Sequence, residues 1–307
     1  MKKTWTLLLA VVLVVGILAG CSSESSLEKE EKEAAGDKVK IGLSVSTLNN
    51  PFFVSLKEGA EKSAKKAGAE LIVADAQDDN AKQLNDVEDL IQKNVDILLI
   101  NPTDSKAVST AVESANDAKI PVITVDRESE GGEVVAHVAS DNVAGGKTAG
   151  EFILEQLKNK GNIVELEGIP GTSAARDRGK GFHQAVDDEK DVKVVASQPA
   201  NFNRDKGLTV MENILQSHPE IDAVFAHNDE MALGAQQAIR AAKKEIVVVG
   251  FDATDDAVKS VKKGDLGATI AQKPEEIGKT GIEVAIQAAK GEKVDKFHPV
   301  ELELIQK

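Results

Sequence analysis

Side chains able to hold a hydroxyl-rich molecule recur at one kind of place in this sequence, directly after an apolar run. Asn50, Phe52 and Phe53 follow the run 39–45, Asn101 follows 95–100, and Asp126 closes 121–126 with Arg127 directly after it. Farther along, Arg176 follows "IVELEGIPGTSAA", Phe202 follows "VVASQPAN", Asn228 follows "AVFAH", Asp252 follows "VVVGF" and Gln272 closes "ATIAQ". The set is made of planar amides, carboxylates, guanidinium groups and rings, with hardly any hydroxyl or imidazole. Carboxylates and amides accept from hydroxyls, Arg and Asn donate to them, and the C–H faces of a sugar pack on flat rings. Where water is excluded every such polar group needs a partner, and a small neutral polyol supplies one to each. The stretch "STLNNPFFVSL" sets two rings side by side in a chain with eight Phe, one Trp and no Tyr. Neighbouring positions on a strand or helix face different ways, so one burial face cannot hold both. Phe52 and Phe53 therefore read as a clamp on one face of a pyranose, with Phe202 approaching from another domain. Turn and cap chemistry explains single members, such as Asn50-Pro51, Asn101-Pro102 and Asn228, but not the whole set on one rim.

The elements that must position these residues are strands alternating with helices. Apolar, β-branched runs fall at 39–45, 69–75, 95–100, 121–126, 134–140, 161–168, 192–198, 222–228, 245–252 and 266–272. They are nearly continuous in hydrophobicity, as strands covered on both faces of a parallel sheet are. Between them lie helical patterns such as "FVSLKEGAEKSAKKAG", with Gly68 placed as a C-terminal stop. The class is α/β with parallel sheets, and the length from residue 39 onward predicts two domains. In such sheets ligands bind at the carboxyl ends of the strands, where the candidate residues stand.

The first segment predicts export. Residues 1–20 combine two lysines, an apolar stretch and small residues, and Cys21, the only cysteine, closes "LAGC". That is a signal peptide followed by a lipobox-like Cys21 expected to carry lipid and anchor the chain to the membrane, outside the cytoplasm. Residues 21–38 hold many charges and few large apolar groups, so they read as a solvated tether. The formal net charge of −14 argues against nucleic acid, which demands basic surface. Without a second cysteine the folded part needs no disulfide.

The pieces "STLNNPFFVSLK", "ILLINPTDS", "IPVITVDR", "ASDN", "GTSAARDRGKGF", "HNDEMALGA" and "VVVGFD" resemble the pentose- and hexose-binding branch of the periplasmic-binding-protein family over residues 39–305. The resemblance implies two Rossmann-like domains joined by a three-segment hinge, the type I arrangement, with residues 39–140 plus 273–301 in one domain and 141–272 plus 302–307 in the other. It implies first-domain contacts from Asn50, Phe52, Phe53, Asn101, Asp126 and Arg127, and second-domain contacts from Arg176, Phe202, Asn228, Asp252 and Gln272. It implies D-ribose as the ligand, with allose or autoinducer-2 as alternatives, and delivery by a monomer to an ABC permease. A chemotaxis receptor is a further partner it admits. Two departures stand near Phe202: His227 where Gln is the family's residue, and "NFNR" in place of an Asp-Phe-Asp-Arg pattern.

Other chemistry is poorly served. "DNVAGGKTAG" ends like a phosphate loop, but Asp141 occupies the position that needs Gly. His137, His183, His218, His227 and His298 form no short-spaced set, so no metal and no triad is expected. A sugar-responsive repressor core would begin with a DNA-binding helix-turn-helix where this chain has an export signal. Asp126 and Asp252 could serve an enzyme as acid and base, yet no activated nucleophile accompanies them, and no cofactor is called for.

Overall fold

The computed structural model describes residues 38–307; the expected signal peptide, Cys21 and most of the tether lie outside the described residues. The first helix shows how local sequence sets the elements. Asn50 caps α1 (Pro51–Ala67) by accepting from Phe52 N through its side chain, Pro51 supplies a helical φ without a needed donor, and Gly68 ends the helix at φ 73°. Strand β1 (Lys40–Val45) precedes it, and β2 (Glu70–Asp75), α2 (Asn80–Gln92), β3 (Ile97–Ile100), α3 (Ser109–Asp117), β4 (Val122–Val125) and β5 (Ala136–Ser140) follow. The second series is α4 (Asn142–Leu157), β6 (Gly161–Glu167), α5 (Ser173–Val186), β7 (Val192–Pro199), α6 (Arg204–Ser217) and β8 (Ala223–Ala226). It continues through α7 (Asp229–Ala241), β9 (Val247–Asp252), α8 (Asp255–Lys263), β10 (Ala268–Ala271) and α9 (Pro274–Ala289), and ends in β11 (Phe297–Val300) and β12 (Glu303–Gln306).

These strands make two six-stranded sheets of matching order, β11-β5-β4-β3-β1-β2 and β12-β10-β9-β8-β6-β7. All pairings are parallel except β10 with β12. Ile97 to Ile100 are wholly buried, as a strand covered by helices on both faces must be. We call the body around the first sheet the first lobe and that around the second sheet the second lobe. The chain passes between sheets three times: from β5 into α4, from β10 into α9, and from β11 into β12. Helix α9 returns to the first lobe and packs against α1 backbone to backbone: a Cβ on Gly59 would lie 2.1 Å from Glu275 O, and one on Gly278 2.0 Å from Leu56 O.

Ten of the strands fall on the expected runs, whereas β11 and β12 escape the pattern. "FHPV" carries Pro299 and a half-exposed Phe297, which an edge strand tolerates but hydrophobic periodicity does not flag. The apparent phosphate loop has a packing role instead. Asp141 caps α4 by accepting from Ala144 N at 2.9 Å, and Gly146 lets α4 meet α5, since a Cβ there would lie 2.0 Å from Arg178 O. Among the described residues no helix is long and apolar enough to cross a membrane.

Candidate ligand-binding site

In each sheet the strand order reverses beside the first strand of its series, β1 or β6, and loops from both carboxyl edges meet around one enclosed cavity. Its wall is Asn50, Phe52, Phe53, Asp126 and Arg127 from the first lobe, Ala174, Arg178, Phe202, Asn228 and Asp252 from the second, and Gln272 on the crossing from β10 to α9. About 240 Å³ between these side chains is free of atoms. The rings of Phe52 and Phe53 lie 5.2 Å apart at 89°. The Arg127 guanidinium sits between lobes, 5.0 Å from the Phe53 ring centre and 5.3 Å from that of Phe202.

Three wall residues stand in backbone conformations that side-chain-bearing residues rarely adopt: Asp126 at φ 63°, Phe202 at φ 55° and Asp252 at φ 122°. Strain of this kind persists only where surrounding structure holds it, and it collects at binding sites. Gly168 makes room for Phe202, for a Cβ there would fall 2.1 Å from the ring's Cζ.

The polar groups are held in two layers. Asn101 is wholly buried but does not line the cavity; its Oδ1 accepts from Ser46 N at 3.1 Å, and its Nδ2 donates to Val125 O at 3.1 Å and to Asp126 Oδ2 at 3.4 Å. It positions Asp126 from beneath. On the other side Gln272 Nε2 donates to Asp252 Oδ1 at 2.9 Å, and Asn228 caps α7 through Met231 N while donating to Phe202 O at 3.3 Å. Two carboxylates and two guanidinium groups thus share the wall in equal number. Burial raises the pKa values of Asp126 and Asp252 while Arg127 and Arg178 oppose it, and burial lowers those of the two arginines. Asp126 Oδ1, Arg127 Nε and Gln272 Oε1 are buried and make no hydrogen bond within the protein.

The arginine of the second lobe is Arg178, not Arg176. Arg176 points away from the cavity, half exposed, and pairs with Glu130 at 3.0 Å. Arg178 is buried, donating from Nε to Asn142 Oδ1 at 2.8 Å and from Nη1 to His227 O at 2.6 Å, with Asp252 Oδ1 3.8 Å away. Helical spacing carried this signal. Ala174, Arg178 and Phe182 share the buried face of α5, whereas Arg176 and Lys180 share the exposed one.

His227, the residue that departs from the expected Gln, is buried behind Arg178. Its Nδ1 accepts from Gly168 N at 3.2 Å and its Nε2 donates to Glu165 Oε1 at 2.9 Å. Burial alone would raise the Glu165 pKa, but hydrogen bonds from His227 and Ser197, with the charge of His183, bring it down to about 2. A wider groove lined by Asp222, Arg240, Lys243, Lys244, Glu245 and Asp265 lies at the amino ends of β8 to β10, at the opposite edge of the sheet from the cavity. Among the described residues no group of three or more metal-ligating side chains occurs.

The model of the periplasmic binding protein domain matches residues 41–293. The chain belongs to this family. It is 54% identical over 305 residues to the ribose import binding protein of Bacillus subtilis, covering 99% of each chain. To the ribose import binding protein of Escherichia coli it is 52% identical over 308 residues, covering 100% of this chain and 99% of the relative. Among solved structures it resembles an ABC transporter solute-binding protein of Bacillus halodurans with bound myo-inositol. The TM-score there is 0.84 at 36% identity, over 89% of this chain and 95% of that one. Membership makes the protein a solute-binding protein and not an enzyme, of the type I two-sheet fold, working outside the cytoplasm.

Proposed function

We propose that this protein captures D-ribose between its two lobes and delivers it to an ABC import permease. The lobes act as two binding domains, residues 39–140 plus 273–301 and residues 141–272 plus 302–307, and close over the sugar. The single observation that carries the reading is the trio Asp126 Oδ1, Arg127 Nε and Gln272 Oε1, two acceptors and a donor buried on one wall with no hydrogen bond from the protein. Buried groups of this kind cost free energy unless paired, and the hydroxyls of one small sugar supply both donor and acceptor. Equal numbers of acidic and basic groups on the wall favour a neutral ligand. The absence of Trp from the cavity wall favours a compact pentose, since hexose binders of this family commonly offer a Trp platform; the names of the relatives favour ribose.

A ligand bound only by the native state stabilises it by about 4 kcal/mol at a thousandfold excess over the dissociation constant, which for a body of this size is a rise in melting temperature of roughly 5–10 °C. D-ribose should produce that rise, glucose, galactose, arabinose and xylose little, and the recovered sugar should be chemically unchanged. A strong response to allose or autoinducer-2 with none to ribose overturns the substrate and keeps the transport role.

The same reading places the protein on the outer face of the cell membrane, held by lipid on Cys21, monomeric, and open to a chemotaxis receptor as a second reader of its closed form. One or two acyl chains provide membrane affinity that an acidic body lacks. Cys21→Ala should leave the protein as uncleaved precursor or shed it, with sugar binding intact; fractionation with a labelled fatty acid checks this, and a lipid-labelled mutant product refutes it.

A further inference from the structure

We infer that Ser105 and Ser173 form a latch that holds the lobes closed and sets the affinity of the cleft without touching its occupant; this rests on the reading of the cleft as the binding site. Three hydrogen bonds join the lobes beside the cavity. Ser105 N donates to Gly171 O at 3.0 Å, Ser173 N donates to Ser105 Oγ at 3.1 Å, and Glu128 N donates to Ser173 Oγ at 2.8 Å. Ser105 and Glu128 follow β3 and β4 of the first sheet, and Gly171 and Ser173 follow β6 of the second. None of the four lines the cavity.

The approach at this point is close. Gly171 has φ 96°, and a Cβ there would lie 2.0 Å from Asp104 Oδ2. Ser105 is wholly buried and Ser173 is 2% exposed, so water does not compete for these bonds. Ser173 is the first residue of α5, and its N–H is one that no helical carbonyl can satisfy. It is spent across the cleft. The neighbouring pair of Arg176 with Glu130 also spans the lobes, but both side chains are 47% exposed, and screened pairs of that kind contribute little.

The eight wall residues among Phe52, Phe53, Asp126, Arg127, Phe202, Asn228, Asp252 and Gln272 are at most 8% exposed, so a sugar can enter or leave only when the lobes part, and the latch bonds break each time they do. They therefore weight the closed form over the open one, and apparent affinity scales with the population of the competent form. Because the latch acts on closure and not on the ligand, its loss weakens every sugar by the same factor.

The test is titration calorimetry with stopped-flow release on wild type, Ser105→Ala, Ser173→Ala and the double variant. Each single variant should bind D-ribose about two- to tenfold more weakly, from the usual net worth of one hydrogen bond, with faster release. The double variant should fall further. The same factor should apply to a second, weaker-binding sugar, while the ligand-free melting temperature stays within about 1 °C of wild type, well under the shift expected from a core defect. Full affinity in the double variant, or a loss confined to one sugar, overturns the latch. A wild-type protein that ignores D-ribose refutes the ribose assignment instead, and the latch is then read with whichever of D-allose and myo-inositol binds.

Discussion

Arg178→Ala should lower affinity for the bound sugar by about a hundredfold or more, while Arg176→Ala stays within a few-fold of wild type. Arg178 faces the cavity, and its guanidinium is fixed by Asn142 Oδ1 at 2.8 Å, His227 O at 2.6 Å and the Phe251 ring, whose centre lies 3.9 Å away. Such a preordered charged donor gives roughly 1.5–3 kcal/mol to a hydroxyl acceptor. Its loss also leaves Asp252 buried without its nearest cation, 3.8 Å away in the intact protein, and breaking a buried pair typically costs about 3–5 kcal/mol. Together these account for two or more decades in affinity. Arg176, by contrast, holds only an exposed partner, Glu130, and exposed pairs contribute about 0–1 kcal/mol. Calorimetry on the two variants checks the contrast; equal losses at both positions would mean that general charge, not the fork of Arg178, binds the ligand.

The second large effect comes from adding a single methyl group against the Phe202 ring. Gly168→Ala should abolish measurable sugar binding while the protein still folds. The new Cβ would fall 2.1 Å from Phe202 Cζ and 2.4 Å from Cε1, so the ring must move. Behind it are the guanidinium groups of Arg127 and Arg178, 5.3 Å and 5.8 Å from the ring centre. The space still open to the ring is the cavity of about 240 Å³ that the sugar needs. Overpacking costs about 1–3 kcal/mol of stability, which a body this size survives. A variant that melts near wild type without ligand and no longer responds to sugar is the expected result; retained affinity would show that Phe202 can retreat elsewhere.

The strands were legible because they are buried on both faces. "ILLI" and "VITV" leave no alternative to a covered sheet, and reading off the residues that follow each strand reaches most of the cavity wall without any knowledge of its shape. That rule has no depth and no helical phase. It put Asn101 on the wall, although Asn101 sits one layer below and steers Asp126. It also took the first arginine after the sixth strand, when the periodicity of α5 places Arg178 and not Arg176 on the buried face. The left-handed backbone at Asp126, Phe202 and Asp252 leaves no mark in side-chain type, because long-range packing imposes it. The division of the chain between the two sheets was equally invisible to hydrophobic pattern. β11 and β12 are short edge strands whose partners, β5 and β10, lie far back in the chain.

That last arrangement governs the order in which the molecule can be assembled. The first lobe draws β11 and the helix that packs on α1 from beyond residue 273, after all of the second lobe but β12 has been made. The second lobe waits longer still, for the four residues of β12. A chain emerging from its amino end can therefore form partial sheets but complete neither, and the direct contact of Gly59 with Glu275 joins segments more than two hundred residues apart. Folds dominated by such distant pairings form slowly. For a polypeptide that must be threaded across a membrane before it works, delay of this kind is useful, since the native state is out of reach until its last residues are through.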